Sequence, residues 1–199
     1  MITPLTKEEM VLETERLRIA PLTLDDIDLS IALLTDPQVM HYVDWEPHTP
    51  KEVRDHMPDA IRKGAGGRIG VWAATLKETG AKIATAVMLP LPIEAENTEW
   101  HTILPDKFPE ACIETGYLLK PEYWGRGYAT EICARMLRFG FAVTELDEIY
   151  ATTDPENEAS KRVLGKCGFT NLGQRRAYAW DETVWFEITR KNWASRLKE

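Results

Sequence analysis

Apolar positions recur along the chain with two periods, which mark out the elements before any residue chemistry is considered. Residues 12–20 alternate apolar and charged side chains, with one imperfection in register, and predict an opening strand. Thr23 with Asp26 three residues on makes a capping-box pattern ahead of Ile27, Ile31 and Leu34, which predicts a first helix. Thr49-Pro50-Lys51-Glu52 combines an N-cap, a first-turn proline and a Glu at the third position. It predicts a second helix to about Lys63, ended by Gly64-Ala65-Gly66-Gly67. Strands are predicted over 68–76 and 82–89, joined by a turn at Glu78-Thr79-Gly80. The polar, proline-bearing stretch 90–110 predicts a long loop, and 111–119 another strand. Residues 128–141 carry Ala129, Ile132, Cys133, Met136 and Leu137 at the helical period, with Glu131 and Arg135 as an i,i+4 pair. A strand over 147–153, a helix over 156–166 and strands over 169–176 and 183–190, turned at Asp181-Glu182, complete the chain.

Strand pairs interleaved with helices, with no internal repeat and no linker, predict one domain over residues 1–199 of α+β or mixed-sheet α/β class. The 24 basic against 32 acidic residues give a net charge of −8, which argues against a general nucleic-acid or anionic-membrane binder. The longest apolar stretch, 84–93, is broken by Thr85, Pro90 and Pro92, so no transmembrane helix is expected. The first residues lack the basic and apolar regions of a secretory leader. Cys112, Cys133 and Cys167 are odd in number and form no CxxC pair, which suits reduced thiols in a cytoplasmic protein. The four histidines form no HExxH and no Cys/His cluster, and no metal is expected.

Candidate chemistry concentrates after residue 111. In Pro121-Glu122-Tyr123-Trp124-Gly125-Arg126-Gly127-Tyr128-Ala129-Thr130, the glycines let the backbone turn tightly just before a helix. Amide N–H groups and the positive end of the helix dipole then converge on one spot, with Arg126 as an added cation, and this suits a phosphate. The same residues also suit a plain turn. Neither the Gly-Lys-Ser/Thr ending of a P-loop nor the GxGxxG spacing is present.

Further pieces follow in order: Asn157-Glu158-Ala159-Ser160, then Gly168-Phe169. The ordered set Trp124-Gly125-Arg126-Gly127-Tyr128-Ala129, Asn157-x-x-Ser160 and Gly168-Phe169 resembles the GNAT superfamily of acetyl-CoA-dependent N-acetyltransferases. More narrowly, it is similar to the ribosomal-protein N-terminal acetyltransferase type. Glu15-Arg16-Leu17-Arg18-Ile19 with Pro21-Leu22 resembles that group's first strand, and Val39-Met40-His41-Tyr42 to Trp45-Glu46-Pro47-His48 its loop between the first helices. The resemblance covers roughly residues 11–193. It implies a central, mostly antiparallel twisted sheet of about seven strands with a splayed pair, flanked by about four helices. It also implies CoA pyrophosphate binding by Gly125, Arg126, Gly127, Tyr128, Ala129 and Thr130, pantetheine pairing at Leu118 and Leu119, and a pantetheine contact at Asn157. Many members place a Tyr seven residues after this Asn as the acid for the departing thiolate. Here that position is Leu164, and Ser160 resembles the subgroup's substitute, although a Ser near a helix start also serves simply as a cap.

Acetyl transfer needs a neutral amine, a polarised thioester and a proton for sulfur. Glu114, a carboxylate within an otherwise apolar strand, is the candidate base. On periodicity alone it equally suits a solvated strand face, and the resemblance favours the base. The stretch from Glu94 to Glu114 also holds Glu96, Glu99, Asp106 and Glu110 against Lys107 alone. It is either a solvated face or an attractor for a cationic acceptor. Tyr42, Trp45 and Trp100 are candidate acceptor-cleft residues, or else core and rim. The expected partners are acetyl-CoA and an amine, either a protein α-amine or a small molecule. The expected assembly is a monomer or homodimer, with no nucleic acid and no membrane. A non-catalytic acyl-CoA-binding module of the same fold is the alternative that Leu164 keeps open.

Overall fold

A computed structural model describes residues 2–43 and 46–197. Its nine strands and six helices run β1 (Leu12–Glu13), β2 (Leu17–Pro21), α1 (Ile27–Leu34), α2 (Pro37–Met40), α3 (Pro50–Ala60), β3 (Lys63–Gly64), β4 (Ile69–Leu76) and β5 (Lys82–Pro90). They continue with β6 (Ile113–Leu119), α4 (Tyr128–Val143), β7 (Glu148–Thr153), α5 (Glu158–Cys167), β8 (Thr170–Gln174), β9 (Val184–Thr189) and α6 (Arg190–Arg196). One sheet takes the order β1-β2-β4-β5-β6-β7-β9-β8, with β3 on β4. Every pairing is antiparallel except β6 with β7.

The opening strand is a tight hairpin instead. Leu12 pairs with Ile19 and Glu13 with Arg18 around the turn at Thr14–Arg16, so the break in alternation marks a reversal. The second helix stops at Ala60, just past its internal Pro58, and Lys63–Gly64 cross onto β4. Two short helices were not expected. Four-residue α2 is too brief to show a period and starts from its Asp36 cap and Pro37. In α6 the Thr189 hydroxyl caps Asn192 N–H where the strand was expected to run on. The expected Glu131–Arg135 pair is also replaced. Glu131 accepts from Arg16 and Thr14, while Arg135 donates to the Glu13 carbonyl.

The buried side chains lie on both faces of the central strands. Met88 and Ile149 press against Gly140 of α4 so closely that a Cβ there would sit 2.5 and 2.7 Å from them. Trp72, fully buried, meets Phe139 of the same helix at 5.4 Å between ring centroids and donates its indole N–H to the Met10 carbonyl. Strand alternation therefore puts Ile113, Thr115, Tyr117 and Leu119 on the α4 face, with Glu114, Gly116 and Leu118 on the other. On that second face a small separate cluster of Leu91, Ala177 and Trp185 forms, flanked by Tyr150, Leu172 and Tyr178. Among the described residues, no helix is long and apolar enough to cross a membrane.

Candidate active site

Strands β6 and β7 are the splayed pair. Their one registered partnership among the described residues is Glu114 with Tyr150, whereas β6 follows β5 from Pro90–Ile113 to Ala84–Leu119. Beyond Glu114 the two strands diverge towards their C-terminal ends, where α4 and α5 begin. The direction of the β6 backbone follows from its bonds to β5. The Cys112 carbonyl accepts from Leu91 N–H and Lys120 N–H donates to the Ile83 carbonyl, so even-numbered residues turn their peptide groups to β5. Leu118 is therefore committed to Thr85, and the expected pairing of its backbone with a pantetheine arm is corrected. Tyr117 and Leu119 are the residues whose peptide groups face the gap. The Leu119 carbonyl accepts the Trp124 indole N–H at 2.9 Å, which sets that half-exposed ring at the mouth of the gap.

The turn into α4 has the shape the sequence suggests. Gly125 and Gly127 have φ of 72° and 82°, a left-handed conformation costing roughly 1–2 kcal/mol for a residue with a Cβ. The first ladder bond runs from Glu131 N–H to the Gly127 carbonyl. None of the amide N–H groups from Gly125 to Thr130 has an acceptor among the described residues. Arg16, read from sequence only as a strand residue, proves to brace this turn. It pairs with Glu131 at 2.6 Å, donates to the Arg126 carbonyl at 2.9 Å and stacks over the Tyr128 ring at 4.2 Å. Its part in a hairpin facing a helix 110 residues away leaves no local trace.

Across the gap, Asn157 caps α5 by accepting Ser160 N–H at 3.0 Å. The Ser160 hydroxyl lies 3.4 Å from the Tyr117 hydroxyl, joining β6 to α5 on the α4 face. Burial holds the Tyr117 phenol protonated well above its ordinary range. Leu164 is sunk in the core.

Glu114 lies on the opposite face at the apex of the splay and is only 5% exposed. Tyr178 O–H donates to one carboxylate oxygen, and Thr152 O–H donates to the other at 3.1 Å. Burial pushes the Glu114 pKa up to about 7, outweighing the lowering by the two hydroxyls. The bland strand-face reading of Glu114 therefore fails, because the side chain does not face solvent.

Tyr178 was missed. It stands at the tip of the β8–β9 hairpin, where Ala177 and Trp180 exchange backbone bonds around Tyr178 and Ala179, with φ of 54° and 58°. Two successive positive φ angles make a type I′ turn, which favours Asn-Gly and strains Tyr-Ala. The tip is tied down by Tyr178 N–H to the Pro92 carbonyl, Ala179 N–H to the Ile93 carbonyl, and Arg176 bridging Glu94 and Asp181. Beside it, the buried Trp185 indole N–H has no acceptor among the described residues, which costs roughly 1–3 kcal/mol.

Tyr42 lines a cavity of about 380 Å³ with Pro37, Gln38, His41 and Trp124, which brings it to the mouth of the gap. Trp100 does not join it. It sits in the Trp100–Thr102 turn and packs, partly buried, against the main core. Trp45 lies outside the described residues. The acidic stretch is partly spent internally: Glu94 pairs with Arg176, Glu110 with Lys107, and Glu114 is buried. Among the described residues no group of three or more His, Cys, Asp or Glu is gathered to hold a metal.

Residues 16–170 match the family described as Acetyltransferase (GNAT) domain. The chain belongs to the GNAT family of acetyltransferases. It is 29% identical over 168 residues to the uncharacterized N-acetyltransferase p20 of Bacillus licheniformis, covering 84% of this chain and 86% of that one. Two solved acetyltransferases share its fold. The spermidine N-acetyltransferase of Vibrio cholerae, in complex with CoA and spermine, matches with a TM-score of 0.68 at 16% identity, over 91% of this chain and 98% of that one. A ribosomal L7/L12 alpha-N-protein acetyltransferase, in complex with coenzyme A, matches with a TM-score of 0.68 at 12% identity, over 90% and 97%. This GNAT sheet has nine strands where about seven were expected, because the first strand is doubled and Lys63–Gly64 adds a short one.

Proposed function

We infer that this GNAT protein transfers the acetyl group of acetyl-CoA directly to a primary amine in a ternary complex, with the β6–β7 gap as the meeting place. The observation that carries this reading is a buried carboxylate held near neutrality at the apex of the splay, with an anion cradle at its open end. The CoA pyrophosphate fits the Gly125–Thr130 amides, the α4 dipole and Arg126. The net charge of −8 does not oppose this, since exposed charges are screened within about 8 Å at physiological salt. The pantetheine arm fits the gap-facing peptide groups of Tyr117 and Leu119, with the Asn157 amide opposite.

The acceptor arrives as an ammonium ion, which cannot attack. An α-amine near pKa 8 is about 10% neutral at pH 7, and a lysine-type amine only a few parts in ten thousand. Glu114 takes the proton, the nitrogen attacks the thioester carbonyl, and a C–N bond forms as the C–S bond breaks. Ser160, bonded to Tyr117, returns a proton to the thiolate. Tyr42 and Trp124 border the open end of the gap, beside the pyrophosphate turn.

The test is a panel of polyamines and peptides with free N-termini, each incubated with acetyl-CoA. At least one amine is expected to accelerate release of free thiol; no stimulation across the panel would leave an acyl-CoA-binding module. Because Glu114 acts when ionised and burial raises its pKa, kcat/KM for the accepted amine is expected to fall as pH drops through about 7. That acid limb should vanish in Glu114→Gln, leaving only the limb from the amine's own ionisation.

A further inference from the structure

We propose that Tyr178 carries the proton from the acceptor amine to Glu114, so that the amine meets the phenol and never the carboxylate itself. This rests on Glu114 being the base. Both oxygens of that carboxylate are covered by hydroxyls, Tyr178 on one and Thr152 on the other, and the side chain is almost wholly enclosed. Tyr178 and Thr152 are both partly exposed where Glu114 is buried, and of the two hydroxyls the Tyr178 phenol is the one carried on a strained turn tied down above β6. A base in this position needs a relay, and a hydroxyl both accepts and donates.

The backbone supports the same assignment. Tyr178 and Ala179 occupy left-handed positions that favour Asn and Gly. The strain is held by bonds whose joint effect is to keep this tip above β6: Tyr178 and Ala179 N–H to the Pro92 and Ile93 carbonyls, Thr183 O–H to the Ala177 and Trp180 carbonyls, and Arg176 to Glu94. Strain of this kind persists where the surroundings over-determine it, commonly at active sites. The unpartnered Trp185 N–H in the same cluster is a second sign that this face is not arranged for stability alone.

The step balances as a concerted pair of transfers. A proton leaves the ammonium nitrogen for the Tyr178 oxygen while the phenolic proton passes to the Glu114 oxygen. The products are a neutral amine, an unchanged phenol and a protonated Glu114. No free phenolate forms, as required where burial and Glu114 together hold the phenol protonated. The other ionisable groups of this face are Tyr150 with its Glu148 partner, Cys112, Glu187 opposite Tyr150, and Arg175 at 5.9 Å from the Trp185 ring. The Glu114 shift arises from burial and the two hydroxyls instead.

Tyr178→Phe in the full chain keeps the ring and removes the relay. Its kcat should fall by about 100-fold with KM for acetyl-CoA unchanged. Its acid limb should move to higher pH, since Glu114 loses a donor that favours its ionised form. Ala179→Gly relaxes the turn but retains the phenol, and should keep wild-type kcat with a raised melting temperature. A proton inventory of the unaltered enzyme in mixed H2O and D2O should bow, as two protons move together; a straight line overturns the relay. A Tyr178→Phe enzyme with unchanged kcat and acid limb also overturns it. If Glu114→Gln is then still inactive, the base survives without the relay. If Glu114→Gln retains its rate, the base reading has failed.

Discussion

Replacing Gly127 with valine is expected to weaken CoA binding roughly 100-fold or more while leaving the fold intact. At φ of 82° a β-branched residue is strained, and the backbone relaxes by turning its peptide planes. The amides that converge from Gly125 to Thr130 then diverge. Hydrogen bonds to a charged group contribute about 1.5–3 kcal/mol each, so losing two weakens binding roughly 100-fold or more. The added Cβ meets no other backbone, and its nearest neighbour is the Arg16 guanidinium at 3.5 Å, so the cost is the local backbone strain of roughly 1–2 kcal/mol, a drop of a few degrees in melting temperature. Titration calorimetry with CoA checks the first part and a melting curve the second. Retained affinity would place the pyrophosphate elsewhere.

Glu114→Gln is expected to lower kcat by about 100- to 10,000-fold, the usual span for removing a general base. Glutamine keeps the shape and retains an oxygen for one of the two hydroxyl donors. The CoA cradle is built from another stretch of chain at the open end of the gap. CoA affinity should therefore match that of the unaltered protein. A parallel loss of affinity and rate would mean that Glu114 shapes the cleft instead of moving a proton.

These two residues were visible in the sequence for different reasons. The Gly125–Thr130 turn is a local object: its glycines, the following helical period and the cation are contiguous, so pattern alone assembles it. Glu114 was legible as a charge where the strand expected an apolar residue, but its burial depends on the hairpin tip above it. Tyr178 carried no signal, because its partner lies 64 residues earlier and its turn breaks the residue preference that would have announced it. Leu118 was assigned by adjacency, and only the bonds of β6 to β5 decide which peptide groups look into the gap. Arg16 and the doubled first strand share that difficulty: a short alternating stretch looks alike whether it runs on or folds back. The α4 and α5 helices were placed closely because their apolar stripes are long and their starts are capped or glycine-turned.

The account is tested most directly by mixing the enzyme with acetyl-CoA alone and following free thiol, then adding an amine that the panel has identified. Direct transfer through the β6–β7 gap predicts no thiol burst before the amine and prompt, amine-dependent release after it. A burst stoichiometric with enzyme in the absence of amine would show an acetyl-enzyme intermediate and contradict transfer in a ternary complex.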